Sequence, residues 1–186
     1  MNITGTPLVD YKRLRRALFS AKRADELNES VVNAPFEQKP EMAFLFLGLI
    51  SFFLVDEASQ MVYLAAVSHT EQYNQSVRGY DFDETDYHLS LKSDQGNDIV
   101  KAILINKPQK TLDWGSLSRP AADRGQARLN QASGGIAYSM VYPLPGPARG
   151  ALLYCYFQYE ENIGPGQQQF MERYTKLVSD SLGHLG

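Results

Sequence analysis

The side chains that could act as nucleophiles are few and poorly arranged for catalysis. The one cysteine, Cys155, lies between two tyrosines in an apolar run, where a thiol is usually an inert core residue. Ser68 and His69 are adjacent, and adjacent side chains of a strand point to opposite faces, so they form no dyad there. The motifs G-x-S-x-G, G-x-x-x-x-G-K-S/T and G-x-G-x-x-G are all absent. The sequence therefore favours a protein that is not an enzyme.

Candidate metal ligands are concentrated in one acidic stretch. Its carboxylates are Asp81, Asp83, Glu84 and Asp86, and His88 follows them. Alternate carboxylates can bind a hard cation, but the central glycine and the distal glutamate of an EF-hand loop are missing. A solvated loop is the interpretation that we favour, and we predict no metal site.

Two kinds of basic side chain could contact a small ligand. His88 titrates near neutral pH and could orient a ligand or bind a haem, although a structural histidine is the more common outcome. Arg124 and Arg128 lie in an irregular segment and could meet an anionic group, with solvation at the surface as the alternative. We retain His88 and Arg128 as ligand-pocket candidates.

Aromatic side chains are the more suggestive signal for a pocket. Residues 138, 140 and 142 alternate along one predicted strand and so share a sheet face, as do residues 154 and 156 on the next strand. Aromatic walls with few polar tips are typical of a small-molecule pocket, while a plain apolar core is the alternative. The candidates for the pocket wall are Trp114, Tyr138, Met140, Tyr142, Tyr154 and Tyr156.

Composition and charge indicate one globular domain. The chain has 186 residues, of which 44% are hydrophobic and 21% are charged, so it can bury a core. Its 18 Lys and Arg against 21 Asp and Glu give a net charge of −3, which argues against a nucleic-acid-binding module. A single cysteine excludes an internal disulfide framework, and the first ten residues contain no apolar signal segment. We therefore expect a cytoplasmic protein.

One apolar run could be mistaken for a membrane span. Residues 42–55 carry no charge, but a helix that crosses the hydrocarbon needs about 20 apolar residues. We interpret this run as a central strand that is covered on both faces, and we expect no membrane contact.

The predicted elements follow the order helix, hairpin, loop, helix, strand, irregular segment, hairpin, helix. Strands are predicted at 44–55, 61–68, 109–114, 136–142 and 151–159, and helices at 8–33, 98–106 and 165–185. Asn97 can cap the second helix, and Pro165 can begin the last one. This order predicts an α+β domain, with the terminal helices over one face of an antiparallel sheet and the middle insertion over the other.

Both terminal helices carry an apolar stripe. Basic residues occupy much of the rest of the first helix, which we interpret as the solvated face of a bundle helix rather than a surface for anionic lipid or nucleic acid. The last helix repeats apolar residues with steps of three and four, a pattern suited to packing on another helix. The residues that we predict at a dimer interface are Leu14, Leu18, Met171, Tyr174, Val178 and Leu185.

The sequence resembles GAF domains, which are small-molecule sensor modules. The resemblance is strongest at residues 135–157, where a strand ends in a Val-Tyr-Pro-Leu step, a short loop carries Gly150, and a second apolar strand follows. The stretch 96–114 and the closing helix agree with it. The resemblance implies a central antiparallel sheet, a bundle of terminal helices that often dimerises, and a pocket on the opposite sheet face beneath the insertion.

The best-defined activities of that family lack their residues here. The Asn-Lys-Phe-Asp-Glu signature of cyclic-nucleotide binders is absent, because Asn106-Lys107 is followed by Pro108-Gln109. Cys155 lies in a predicted strand rather than on a pocket helix, so we predict neither bilin nor haem. One cysteine also cannot form the intramolecular disulfide of the free methionine sulfoxide reductases.

These observations lead to one main hypothesis and two alternatives. We expect an N-terminal helix at 1–34 and a GAF-like domain at 35–186, which together form a non-enzymatic sensor. It would bind an unidentified small molecule and signal as a homodimer through its terminal helices. A protein-interaction or structural module with a filled pocket is the alternative. An enzyme would need a nucleophile or a metal that the sequence does not supply.

Overall fold

One antiparallel sheet forms the centre of the molecule. The computed structural model describes residues 9–78, 87–120, 123–157 and 163–185. Within these ranges the strands are β1 (Leu47–Asp56), β2 (Met61–Val67), β3 (His88–Ser90), β4 (Gln109–Thr111), β5 (Tyr138–Pro143) and β6 (Gly150–Tyr156). Their spatial order is β3-β2-β1-β6-β5-β4, and every neighbouring pair is antiparallel.

Helices cover both faces of this sheet. They are α1 (Tyr11–Ser20), α2 (Ala24–Asn33), α3 (Lys39–Leu45), α4 (Glu71–Val77), α5 (Asp98–Ile105), α6 (Gly115–Ser118), α7 (Arg124–Ser133) and α8 (Pro165–Leu185). Buried residues of α1, α2 and α8 pack on one face, and those of α5 and α6 pack on the other. The predicted α+β architecture is confirmed. Among the described helices, none has the length and apolar character needed to span a membrane.

Strand β1 is buried on both faces. Ile50 and Phe52 belong to the core beneath α1, α2 and α8, whereas Leu49 and Phe53 belong to the core beneath α5. Because alternate side chains of a strand point to opposite faces, a strand with both faces covered is apolar almost throughout. The prediction of a central, two-sided strand is confirmed.

That strand begins later than predicted, because residues 39–45 form α3. Pro40 lies in the first turn of this helix, where its missing N–H costs no helical hydrogen bond. The helix ends at Phe46, which adopts a left-handed conformation with φ of 58°. The chain then enters β1 at Leu47.

The predicted N-terminal helix is two helices rather than one. The backbone is extended at Ala21 and at Arg23, and these residues separate α1 from α2. Both helices contribute buried residues to the same core as α8. The described part of the segment 1–34 therefore packs as an integral layer of the domain.

The apolar stripe of the terminal helices packs within this chain. Leu14, Leu18, Met171, Tyr174 and Val178 are each at most 1% exposed, and they lie in the core beneath α1, α2 and α8. Of the residues predicted at a dimer interface, only Leu185 is exposed, at 37%. The helical pattern correctly indicated a packing surface. That surface packs against the sheet and the other helices of the same chain. The five buried residues are not available to a second copy, which corrects that assignment.

Buried tyrosines link this helical layer to the rest of the core. The Tyr174 hydroxyl on α8 donates a hydrogen bond of 2.7 Å to the carbonyl oxygen of Val31 on α2. The Tyr154 hydroxyl on β6 lies 2.8 Å from Oγ1 of Thr175 on α8. The Tyr156 hydroxyl is also buried, but it finds no hydrogen-bond partner among the described residues.

Removing single hydroxyl groups should distinguish a buried tyrosine hydroxyl that has a hydrogen-bond partner from one that has none. Tyr174→Phe should lower the free energy of unfolding by about 1 kcal/mol, because it deletes a buried hydrogen bond between two helices. Tyr156→Phe should leave stability unchanged or raise it, because it removes a buried hydroxyl that lacks a partner. Urea unfolding followed by circular dichroism measures both effects, and equal losses in the two variants would contradict this account.

Candidate ligand-binding site

A cavity lies on the sheet face opposite the terminal helices. Its floor is formed by alternate residues of β1 and by residues of β2 and β6, and its walls by α4, α5, α6, α7 and the segments beside them. The lining residues are Leu49, Ser51, Phe53, Leu64, Val67, Tyr73, Ser76, Val77, Tyr87, Ile99, Trp114, Leu117, Ser118, Ala127, Asn130 and Leu153. The cavity volume is about 100 Å³. These described lining residues include no charged side chain.

The polar tips of two wall aromatics are engaged in hydrogen bonds. The Trp114 indole N–H donates to Oγ of Ser139 over 3.0 Å, and that hydroxyl donates in turn to Sγ of Cys155. The Tyr87 hydroxyl donates to the carbonyl oxygen of Leu117, and burial raises the pKa of Tyr87. Because those groups are already hydrogen bonded, Trp114 and Tyr87 present mainly their ring surfaces to the cavity.

Two buried amides fix the segments above the sheet. The Gln131 side chain on α7 accepts from the backbone N–H of Trp114 at 2.9 Å and donates to the carbonyl oxygens of Leu112 and Ile136 at 3.1 Å. The Asn97 side chain caps α5, as predicted, and also donates to the carbonyl oxygen of Leu117 over 2.7 Å. These contacts anchor α6 and α7 to the sheet and to α5.

Helices α4 and α7 approach each other closely beside the cavity. A methyl group at Gly134, directly after α7, would collide with the Ser76 hydroxyl on α4. Gly134 has an ordinary helical backbone, with φ of −75°, so this glycine is needed for space rather than for conformation. The missing side chain lets the two helices form a continuous wall.

An ion-pair cluster holds α7 against the segment that carries Trp114. Asp113 accepts hydrogen bonds from Nε of Arg128 at 3.0 Å, from Arg124 at 3.2 Å and from the backbone N–H of Gly115 at 2.8 Å. Hydrogen bonds from Arg128 are the main reason that the pKa of Asp113 lies well below its usual range. Both guanidinium groups are therefore already bound to a carboxylate.

The structure separates the predicted pocket residues into three groups. Trp114 lines the cavity. Arg128 pairs with Asp113 outside the lining, and His88 is exposed on β3, likewise outside it. The remaining candidates share one sheet face, but that face lies beneath the terminal helices: Tyr138, Met140, Tyr142, Tyr154 and Tyr156. This placement corrects their assignment to the pocket wall.

The register of the last two strands explains that correction. Tyr138 pairs with Tyr156 and Met140 with Tyr154, so these side chains lie together on the helix-covered face. The alternate residues of these two strands belong to the opposite face, and one of them, Leu153, lines the cavity. Alternation predicted which residues share a face, but it carried no information about what covers that face.

Several lining residues escaped the sequence analysis. Ser51 lies between Leu49 and Phe53 on the cavity side of β1, and Ala127 and Asn130 lie on α7. The alternation of β1 is the signal that could have identified Ser51, but only once its face was known. The acidic residues 81–86 lie outside the described residues. Within the described ranges, no group of three His, Cys, Asp or Glu side chains is placed to bind a metal.

Loss of the Asp113 carboxylate should loosen α7. Asp113→Asn should lower the free energy of unfolding at pH 7 by about 1 kcal/mol, since both arginines are partly solvated. The difference from the wild type should shrink below about pH 4, because a carboxylate with a depressed folded-state pKa loses its contribution as the unfolded chain takes up protons. Urea titrations across this pH range test the prediction. Asp25→Asn, which removes an exposed ion pair on α2, is the matched control.

Comparison with known proteins supports the fold but no closer relationship. No protein-family model matches the sequence, and no curated protein matches it.

Solved structures that resemble it include the GAF domain of a phosphoenolpyruvate-protein phosphotransferase from Coxiella burnetii, with a TM-score of 0.60, 14% identity, and coverage of 94% of this chain and 92% of that one. The corresponding Acinetobacter domain has a TM-score of 0.59, 11% identity, and coverage of 93% and 90%. Free methionine-R-sulfoxide reductase from Neisseria meningitidis, solved with its substrate, has a TM-score of 0.58, 11% identity, and coverage of 92% and 85%. Together with the sheet order and the two helical layers, these similarities show that the chain has the GAF fold.

Proposed function

We propose that the protein is a regulatory module that binds a small molecule in the cavity above β1. The observation that carries this proposal is an apolar cavity on the sheet face opposite the terminal helices, with two of its wall aromatics fixed by hydrogen bonds. A concave, mainly apolar space with a few polar groups is the usual form of a small-molecule site. Aromatic rings that are already fixed need little ordering when a ligand binds.

The environment of the one cysteine favours regulation over the reductase activity of one structural neighbour. Cys155 is fully buried in β6, and burial raises the pKa of its thiol to about 12. A thiol in that state is mostly protonated at neutral pH and is a poor nucleophile. With no second cysteine in the chain, an internal disulfide cannot form.

The alternative, an interaction module, predicts that Tyr, Trp and Phe side chains fill the cavity. Tyr138, Tyr142, Tyr154 and Tyr156 pack beneath the terminal helices instead. Trp114 and Phe53 line the cavity without filling it. The described residues leave space at the site where that alternative needs side chains. We therefore prefer the ligand-binding proposal.

A variant that fills the cavity tests this proposal directly. Ala127→Leu adds a side chain from α7 into the cavity, whereas Ala132→Leu adds the same group on the exposed side of the same helix. Native mass spectrometry of the purified wild type should show extra mass that denaturation releases. Ala127→Leu should lose this mass, and Ala132→Leu should retain it.

Two results would contradict the proposal. One is retention of the extra mass by Ala127→Leu at the wild-type level, in a protein whose circular dichroism is unchanged. The other is a wild-type protein that carries no extra mass and whose melting temperature no compound of a metabolite mixture raises.

A homodimer is a second part of the proposal, and its interface must differ from the buried stripe. The outward groove between α1 and α8 is basic, because Lys12, Arg15 and Arg173 have no carboxylate within ion-pair distance in the described part of the chain. Two such faces repel each other, and added salt weakens that repulsion. A dimer through this groove should therefore become stronger as ionic strength rises, which sedimentation velocity measures. A dimer that weakens with salt would exclude this face.

A further inference from the structure

We infer that the ligand of the cavity is an uncharged molecule with a single polar group that hydrogen bonds to Ser51. This inference rests on the proposed function and names the chemical class of its ligand. It depends on the charge of the lining and on the one polar side chain of the sheet floor.

The described part of the lining offers a charged ligand no partner. None of the described lining residues is Asp, Glu, Lys, Arg or His. The nearby cations on α7, Arg124 and Arg128, are both bound to Asp113. A carboxylate, phosphate or ammonium group that entered the cavity would lose its hydration without gaining a partner, and that loss is costly. An uncharged ligand loses much less.

Most polar groups around the cavity are already satisfied. The Ser118 hydroxyl donates to the carbonyl oxygen of Trp114 over 2.9 Å, and the Asn130 amide contacts the Gln126 amide at 2.8 Å. The Ser76 hydroxyl has no partner among the described residues, but it lies against Gly134 at the contact between α4 and α7. None of these groups belongs to the sheet floor.

Ser51 is the polar side chain of that floor. It lies on the central strand β1 between Leu49 and Phe53, and all three line the cavity. The residue is 7% exposed, and its side chain lines the cavity. Few other polar groups are available in this apolar space, so a ligand group that bonds to the Ser51 hydroxyl gains affinity. Ser51 thereby selects for one polar atom on an otherwise apolar molecule.

Three single-ring probes of nearly equal size test the charge. Toluene is neutral, benzoate carries a negative charge and benzylammonium carries a positive charge. Trp114 is the one tryptophan of the chain and lines the cavity, so its fluorescence reports binding, and calorimetry gives the affinities. Toluene should bind at least about tenfold more tightly than either ion, because each ion must be desolvated without a partner. Ala127→Leu should abolish the toluene signal.

A second pair of probes tests the role of Ser51. The wild type should bind p-cresol more tightly than toluene, and Ser51→Ala should lower the p-cresol affinity about threefold to tenfold while leaving toluene unchanged. Ser51→Cys keeps a side chain of similar size with a weaker donor. Its affinity for p-cresol should therefore lie between those of the wild type and Ser51→Ala. Ser20→Ala, on the exposed side of α1, is the control and should change neither affinity.

The outcomes distinguish this inference from the proposed function. Tighter binding of benzoate or of benzylammonium, abolished by Ala127→Leu, would overturn the uncharged ligand and leave the cavity as a binding site. Equal p-cresol affinity in the wild type, Ser51→Ala and Ser51→Cys would overturn the contact with Ser51. If no probe binds and the wild type also carries no extra mass in native mass spectrometry, both the inference and the proposed function fail.

Discussion

Burial of β1 on both of its faces is the constraint on which the rest of the structure depends. The strand pairs with β2 on one side and β6 on the other, so its backbone groups are satisfied only at the middle of the sheet. Its side chains then divide by alternation. Ile50 and Phe52 complete the core beneath the terminal helices, and Leu49 and Phe53 form part of the cavity floor. Residues 49–53 of β1 are divided between these two purposes, and Ser51 is the polar residue on the cavity side.

The apolar character of the cavity follows from how polar groups beside it are satisfied. Trp114 and Tyr87 direct their donors to Ser139 and to the backbone at Leu117, and Gln131 uses its amide to hold three backbone groups. Unpaired polar atoms at these positions would each cost free energy in an apolar cavity. The hydrogen bonds that stabilise the segments above the sheet therefore also keep the cavity wall apolar.

Local signals in the sequence predicted the strands β1, β2, β4, β5 and β6 and the helices α5 and α8, but they did not predict β3, α4 or α6. Asn97 marks the start of α5, and Pro165 marks the start of the last helix, because capping and proline geometry act within one turn. The apolar runs 136–142 and 151–159 predicted two strands, which the structure places at Tyr138–Pro143 and Gly150–Tyr156. The start of β1 was misplaced, since the apolar run from residue 42 continues without interruption from α3 into the strand.

The faces of these elements could not be predicted, because they depend on contacts between distant parts of the chain. Period-two alternation grouped Tyr138 with Tyr142 correctly, but whether helices or a cavity cover them is decided by the packing of α8. The sequence predicted Arg128 at the pocket, but in the folded domain Arg128 pairs with Asp113, fifteen residues earlier. Ser51 was hidden within an apolar run, and only the folded sheet shows that its side lines a cavity.

This arrangement also limits how a ligand could affect the terminal helices. Trp114 in the cavity wall bonds to Ser139, which bonds to Cys155, and the neighbouring residue Tyr154 contacts Thr175 on α8. The cavity and the last helix are thus separated by the thickness of one sheet. Packed interiors deform little, so a ligand that displaced β5 or β6 would have to change the packing of α8. Regulation through this route requires a second stable arrangement of that helix, because coupling needs an element whose equilibrium both sites can shift.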